Sequence, residues 1–517
     1  MVICYAFEAK SIQEYVLNSG KLKDMVGASE IVNQLIGEPL QQALKAVELQ
    51  DHDSINFSRR ASGAFVAFMD DQEKAEALRD LWSLVVPHFA PGLHFVHTVA
   101  QAETEREAAG KALKKLQTSH FPQPDIPSAS PLTRYSPRTG VPAAVIQRAA
   151  GGNEWVDNAT FRKRDSSFGK GRSLAQKFSV REFNWPVNML ADFPFQGDNS
   201  YVGIIHADGN GLGNILRILQ ANANDDNYRE LYRSFSAKLG AATCQAAQKA
   251  TVDILIPAVG HNGFLPARPL VLGGDDLTII VRGDLALSFT KCFLEAFEEF
   301  SKEVCEFLKV QKMGWRQDFL TACAGIAYVK SNQPFAMGYA LAEELCGQSK
   351  EMSKRNASAL SFHRVATSFI PDAEWVWQNE MTRKSADTSF IGTLGCYQVG
   401  QTQSDLPKLE YLLGLKKVID STGVRSGAGL MRKLLGIMHE PPQVAREMYS
   451  RWRTLLKEEG MKNSDLLPIF DSGLIQLLGN QVVPDLPARK IPDGRNMNQY
   501  ESPLGDILAL KAVGGEA

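Results

Sequence analysis

An α+β fold built from two ferredoxin-like units is predicted, and three observations carry the prediction. Strand-like and helix-like segments follow the order β-α-β-β-α-β over residues 1–116, the same order returns over 201–363 with one extra helix, and strand signals fade after about residue 366. At 517 residues the chain has room for about three to four domains. Four are expected: a ferredoxin-like unit over 1–120, an irregular insert over 121–200, a second ferredoxin-like unit over 201–365 and an α-helical domain over 366–517.

The first unit opens on an apolar strand at 2–7. A helical stretch interrupted by Gly20 and Gly27 follows, with Ile31, Leu35, Leu40 and Leu44 at helical spacing. Strands at 54–58 and 64–68 read as a hairpin, and a helix at 72–84, a strand at 93–100 and a helix at 103–116 complete the unit. Residues 117–200 are rich in Pro, Ser, Gly and Arg, which marks an irregular segment. Its stretch 148–182 holds eight Lys/Arg and four Asp/Glu, a net of +4, read as solvated loop surface with phosphate binding as the second reading.

The second unit starts with a strand at 201–207, a glycine-rich turn and helices at 214–221 and 228–250. Strands at 270–272 and 277–281 flank the tetrapeptide Gly273-Gly274-Asp275-Asp276; a helix at 287–308, a strand at 321–329, a helix at 335–354 and a strand at 359–363 follow. This is the palm arrangement of nucleotidyl transferases. Beyond it, helices are expected at 409–418, 429–438, 442–456 and 464–478, then a Pro-containing tail from 482. Residues 411–462 carry ten Lys/Arg and five Asp/Glu, a net of +5, again read as a solvated face with RNA or partner contact as the alternative.

Composition excludes several classes. With 56 Lys+Arg against 58 Asp+Glu the net charge is −2, which argues against a coat for nucleic acid held by bulk charge. The 44% hydrophobic content excludes disorder. Seven cysteines stand singly with no C-x-x-C, so neither a disulfide framework nor a zinc ribbon is expected. No signal-peptide pattern and no run of about 18 apolar residues occurs, so a cytoplasmic protein without a membrane partner is expected.

The chemistry-bearing residues lie in two turns. In IIHADGNGLGN an apolar strand ends at Asp208, and Gly209, Asn210, Gly211 and Gly213 shape a tight turn before a helix. Backbone N–H groups there suit phosphate oxygens, and the strand-end carboxylate suits Mg²⁺. In RPLVLGGDDLTIIV two β-forming runs place Gly273, Gly274, Asp275 and Asp276 at a hairpin tip. A palm brings its first strand beside that hairpin, so Asp208, Asp275 and Asp276 converge. Three adjacent carboxylates call for cations, and two Mg²⁺ (or Mn²⁺) ions would serve nucleotidyl transfer. Lys350 and Lys354, spaced i, i+4 on a helix, are candidates to clamp a triphosphate, Lys350 before Lys354, and Arg268 is a weaker one. His206, two residues before Asp208, is read as a packing residue rather than a base.

The motifs DGNGLG, RPLVLGGDDLTIIV and TACAGIAYVKSNQPFAMGYALAEEL, with FEAKSIQEYVLNSGKLKDMVGASEIVNQL near the start, resemble the large subunit of type III CRISPR effector complexes, whose catalytic palm is related to GGDEF diguanylate cyclases. The resemblance covers 1–120 and 201–365. It implies conversion of ATP into cyclic oligoadenylates, with Asp208 as first-strand metal ligand and Asp275 and Asp276 as the acidic pair. Asn210 stands where many members have Asp. No counterpart of the family's N-terminal HD domain or of its zinc-binding cysteines is expected, SPLTRYSPRTGVPA resembling the zinc region without its cysteines. Implied partners are ATP, guide and target RNA and other effector subunits, and a homodimer is admitted. Two alternatives stay open: a catalytically silent nucleotide-binding scaffold subunit, and a GGDEF-like cyclase using GTP.

Overall fold

The computed structural model describes residues 1–514 apart from 19, 51–53, 62, 119–131, 150–151, 166–171, 180, 197–198, 386–387, 403, 422–424, 439–441, 464–465 and 492–497. Parts of the expected insert and the start of the last expected helix, at 464, therefore lie outside the described residues.

Strands β1 (Val2–Lys10), β2 (Asn56–Ala61), β3 (Ala64–Met69) and β4 (His94–Ala102) form a sheet in the order β2-β3-β1-β4. That is the ferredoxin-like order. The helices are α1 (Ile12–Leu17), α2 (Leu22–Leu35), α3 (Glu38–Ala46), α4 (Gln72–Phe89) and α5 (Glu105–Thr118). Gly20, at φ 68°, separates the first two helices as expected, but Gly27 interrupts nothing. It lies inside α2, where an added Cβ would sit 1.7 Å from the Lys163 carbonyl oxygen, so glycine there permits close approach and not a break.

The insert is more ordered than its composition suggested. A hairpin of β5 (Val145–Ala149) and β6 (Gly152–Val156) leads into α6 (Asn158–Lys163) and α7 (Arg172–Phe178). Two of the cations assigned to a solvated surface are buried instead. Arg164 donates to Asp24 at 2.6 and 2.9 Å and to Glu154 at 2.9 Å, and Lys163 donates to the Tyr15 carbonyl at 2.7 Å. Burial pushes the Lys163 ammonium down to about 8.

A second sheet holds β7 (Tyr201–Gly209), β8 (Ala267–Gly273), β9 (Asp276–Arg282), β10 (Ala322–Lys330), β11 (Ala359–Arg364) and β14 (Tyr397–Gln398) in the order β14-β11-β10-β7-β9-β8. Its β10-β7-β9-β8 portion repeats the ferredoxin-like order. Strand β10 runs antiparallel to β7, with Cys323 opposite Asp208, and parallel to β11, with Tyr328 opposite Arg364. The accompanying helices are α8 (Leu212–Asn222), α9 (Tyr228–Ala250), α10 (Gly283–Phe300), α11 (Lys302–Val310) and α12 (Phe335–Met352). The single helix expected at 287–308 is two helices, parted at Ser301, whose hydroxyl accepts a hydrogen bond from the Leu320 N–H at 2.8 Å.

The C-terminal helices Leu409–Ser421, Arg425–Ile437, Pro442–Asn463 and Leu466–Leu478 lie where periodicity put them. A small sheet was not foreseen. Strands β12 (Thr382–Lys384), β13 (Thr388–Ile391), β15 (Arg489–Ile491) and β16 (Asn498–Glu501) pair in the order β12-β13-β16-β15, and a helix Leu504–Val513 follows. Strands of three or four residues leave no readable alternation, and the β13–β16 pairing of Thr388 with Asn498 joins distant sequence. By compactness the chain divides into two units, one of Met1–Pro194, Gly211–Ile280 and Ala296–Leu320, the other of Phe195–Asn210, Val281–Glu295 and Thr321–Ala517. Among the described residues no helix is long and apolar enough to cross a membrane.

Candidate functional site

Strand β7 is buried through Val202, Ile204, Ile205 and Ala207 and is partly exposed at its two ends, the second of which carries Asp208. The chain then turns through Gly211, in the left-handed region at φ 75°, and starts α8. Gly274, at φ 64°, makes the corresponding turn between β8 and β9 and holds Asp275 and Asp276 at the hairpin tip. Its carbonyl accepts from the Thr243 hydroxyl at 2.7 Å. Sequence reasoning missed Thr243, although a hydroxyl among Leu239, Ala242 and Ala246 on the buried face of α9 is a visible signal.

One carboxylate oxygen from each of Asp208, Asp275 and Asp276 lies within 4.8 Å of the other two, and all three side chains are half-buried. At that spacing two carboxylates repel by about 3–4 kcal/mol for an effective dielectric near 20. Lys350, on α12 and 8% exposed, meets this charge: its ammonium pairs with Asp208 and donates to the Gly209 carbonyl at 3.2 Å. Burial, with the Arg355 charge adding to it, pushes the Lys350 ammonium down to about 8. Three carboxylate oxygens brought this close form a set of hard donors that fits a divalent cation such as Mg²⁺.

Other expected site residues are placed differently. Asn210 is buried, and its amide nitrogen donates to the Thr321 hydroxyl at 3.0 Å and the Ala357 carbonyl at 3.2 Å, so it ties the end of β7 to its neighbours. Lys354 does not share a helix face with Lys350, because α12 ends at Met352. Lys354 and Arg355 take left-handed conformations at φ 52° and 58°. Arg268 is 1% exposed, inside the fold beside Glu30, and burial pushes its guanidinium down to about 10. His206 packs its ring edge-on to Tyr339 at 5.4 Å, and burial holds its imidazole down to about 4, so it is neutral at pH 7. Gly213 opens on free space within the first turn of α8.

A cavity of about 300 Å³ adjoins the hairpin tip. Gly273, Gly274, Asp275 and Asp276 form one wall, and Arg59, Leu216 and Tyr232 are among the residues that complete it. It therefore joins the carboxylate pair to an apolar and aromatic surface.

A ferredoxin-like sheet carrying carboxylates at the end of its first strand and at its central hairpin defines a palm domain. Residues 201–359 match the family model for Cas10/Cmr2, second palm domain, so this part of the chain is similar to that palm. No curated protein matches the chain. Among solved structures it is similar to a Csm1–Csm4 cassette in complex with cA3, at 13% identity and a TM-score of 0.51, over 100% of this chain and 70% of that one. It is also similar to a Csm1–Csm4 cassette in complex with pppApA, at 13% identity and a TM-score of 0.50, over 99% of this chain and 69% of that one. At such identity the likeness establishes the fold.

Proposed function

We propose that the protein is a metal-dependent nucleotidyl transferase that converts ATP into cyclic or linear oligoadenylates, serving as a signal in CRISPR-type antiviral defence. The observation that carries this is the convergence of Asp208, Asp275 and Asp276 beside Lys350. The Cas10/Cmr2 palm match and the cA3 and pppApA complexes of the Csm1–Csm4 relatives support it.

Asp208, Asp275 and Asp276 would hold Mg²⁺, which when bound activates an attacking 3′-hydroxyl and stabilises charge on the triphosphate. The chain's own residues do the rest. Gly209, Gly211 and Gly213 shape the turn whose backbone N–H groups, with the start of α8, favour phosphate oxygens. Lys350 supplies the positive charge that orients the triphosphate, with the Gly209 carbonyl steering its ammonium. Gly273 and Gly274 keep the hairpin tip free of side chains, so a nucleotide can approach Asp275 and Asp276. The cavity lined by Leu216 and Tyr232 would take the nucleoside and exclude water from the reacting phosphate. As a Cas10-like chain, the protein would work with other effector subunits and with guide and target RNA.

The test is incubation of purified protein with Mg²⁺ and each nucleoside triphosphate in turn, with and without target RNA and effector subunits, and mass spectrometry of the products. Oligoadenylate from ATP alone supports the reading. A product from GTP alone favours a GGDEF-like cyclase, and thermal stabilisation by ATP with no product under any condition favours a silent scaffold.

A further inference from the structure

A second polar cavity, of about 220 Å³, opens at the foot of β11 and lies apart from the carboxylate site in the fold. The register shows the separation: Asp208 faces Cys323 at one end of β10, whereas Arg364 faces Tyr328 toward the other end. Its polar lining is His363, Arg364, Glu380, Arg383 and Arg432. Three guanidinium groups and one carboxylate in so small a space form a charged site, with no catalytic step assigned to it.

Two features show that this site is built for something. His363 is 3% exposed, and beside it the Arg364 Nε and the Glu380 Oε1 are buried atoms with no hydrogen-bond partner among the described residues. Buried polar groups are rarely left so, because each unmet group costs on the order of 1–3 kcal/mol. The remaining contacts hold the groups in place: Glu380 Oε2 stands 3.2 Å from His363 Nε2, and Arg364 donates to the Tyr201 hydroxyl at 3.0 Å. Glu380 also lies in a π-helical turn, Val376–Met381, a departure from α-helix that is frequent at functional sites.

The unmet atoms define the ligand. Arg364 Nε–H is a donor that wants an anionic acceptor, and Arg383 and Arg432 at the exposed rim add positive charge, which together suit a phosphate group. Glu380 Oε1 is an acceptor that wants a hydroxyl or amino donor next to that phosphate. Both needs are met by a ribonucleotide, whose 3′-phosphate and 2′-hydroxyl are adjacent, and the cavity of about 220 Å³ is large enough for one phosphate with its ribose. We propose that this cavity binds a ribonucleotide unit, either a free nucleotide or one unit of an RNA strand, at a site distinct from the carboxylate centre.

The test uses the full chain carrying Asp275→Ala and Asp276→Ala, so that nucleotide held at the carboxylate site does not contribute. Adenosine 3′-monophosphate, an RNA octamer and the DNA octamer of the same sequence are titrated against it by calorimetry. The expectation is binding of RNA or of the mononucleotide that weakens about tenfold or more in an added Arg383→Ala, Arg432→Ala pair. In an added Glu380→Gln variant, preference for RNA over DNA falls. Preference for the octamer assigns the site to a strand, and equal binding of the mononucleotide assigns it to a free nucleotide. Affinity unchanged in both sets of variants, or absent in the parent, overturns the proposal. Arg383 and Arg432 are exposed, so a thermal midpoint near that of the parent shows that the loss is local. Because the parent already lacks the acidic pair, this outcome is separate from whether the protein synthesises oligoadenylate.

Discussion

Asn210 shows how one side chain's surroundings orient it. Its position suggested a ligand like the Asp of many relatives, and its amide nitrogen donates to Thr321 and Ala357 inside the fold while its Oδ1 has no hydrogen-bond partner among the described residues. Asn210→Asp would set an acceptor against the Ala357 carbonyl, and the expected result is a loss of about 1–3 kcal/mol in denaturant unfolding. An unchanged midpoint would show that the amide bonds contribute nothing. For Lys350, already paired with Asp208, Lys350→Ala is expected to lower oligoadenylate synthesis by about a hundredfold while leaving the fold intact. The measurement is kcat/KM for ATP, with circular dichroism as the check on folding.

At the level of elements, the site depends on how closely α12 lies on β10. An added Cβ at Gly325 would come 2.0 Å from the Ala342 carbonyl oxygen and 2.5 Å from the Cys346 nitrogen, both backbone atoms. Gly325→Ala is therefore expected to displace the helix that carries Lys350 and to destabilise by about 3 kcal/mol or more, read as a lower thermal midpoint. Why some elements were legible follows from the same packing. The β1, β7 and β9 runs and the long helices have one buried face and a clear period, so sequence alone located them, and turn chemistry located the Asp275–Asp276 tip. Lys163 and Arg164 were misread because a charge run does not reveal that Asp24, Glu154 and Tyr15 wait for it in other elements. The sheet of β12, β13, β15 and β16 was missed because its pairing is long-range and its strands are short.

For the molecule as a whole, a buried carboxyl outside the carboxylate cluster gives stability a pH dependence. Asp506, in the last helix, accepts from the Thr393 hydroxyl at 2.8 Å and the Leu394 N–H at 3.0 Å, and from the Tyr397 hydroxyl. Burial outweighs these bonds and raises its carboxyl from 3.8 to about 6. A raised carboxyl means that the folded state binds the proton more tightly, so the contribution is complete below about pH 4 and is lost as pH rises through about 6. Relative to Asp506→Asn, the natural protein should gain about 1 kcal/mol as pH falls from 7 to 5, seen in urea midpoints at both pH values. Equal pH dependence in the two proteins would contradict this. Neutral bulk charge thus conceals a concentrated acidic centre, a basic cavity and a buried titrating carboxyl within one chain. The central claim, that Asp208, Asp275 and Asp276 act together in nucleotide polymerisation, is tested most directly by ATP turnover with Mg²⁺ in matched preparations of the natural protein and the Asp275→Ala, Asp276→Ala variant. The account predicts oligoadenylate from the first and a loss of at least about a thousandfold in the second at unchanged thermal stability; full activity in the variant would contradict it.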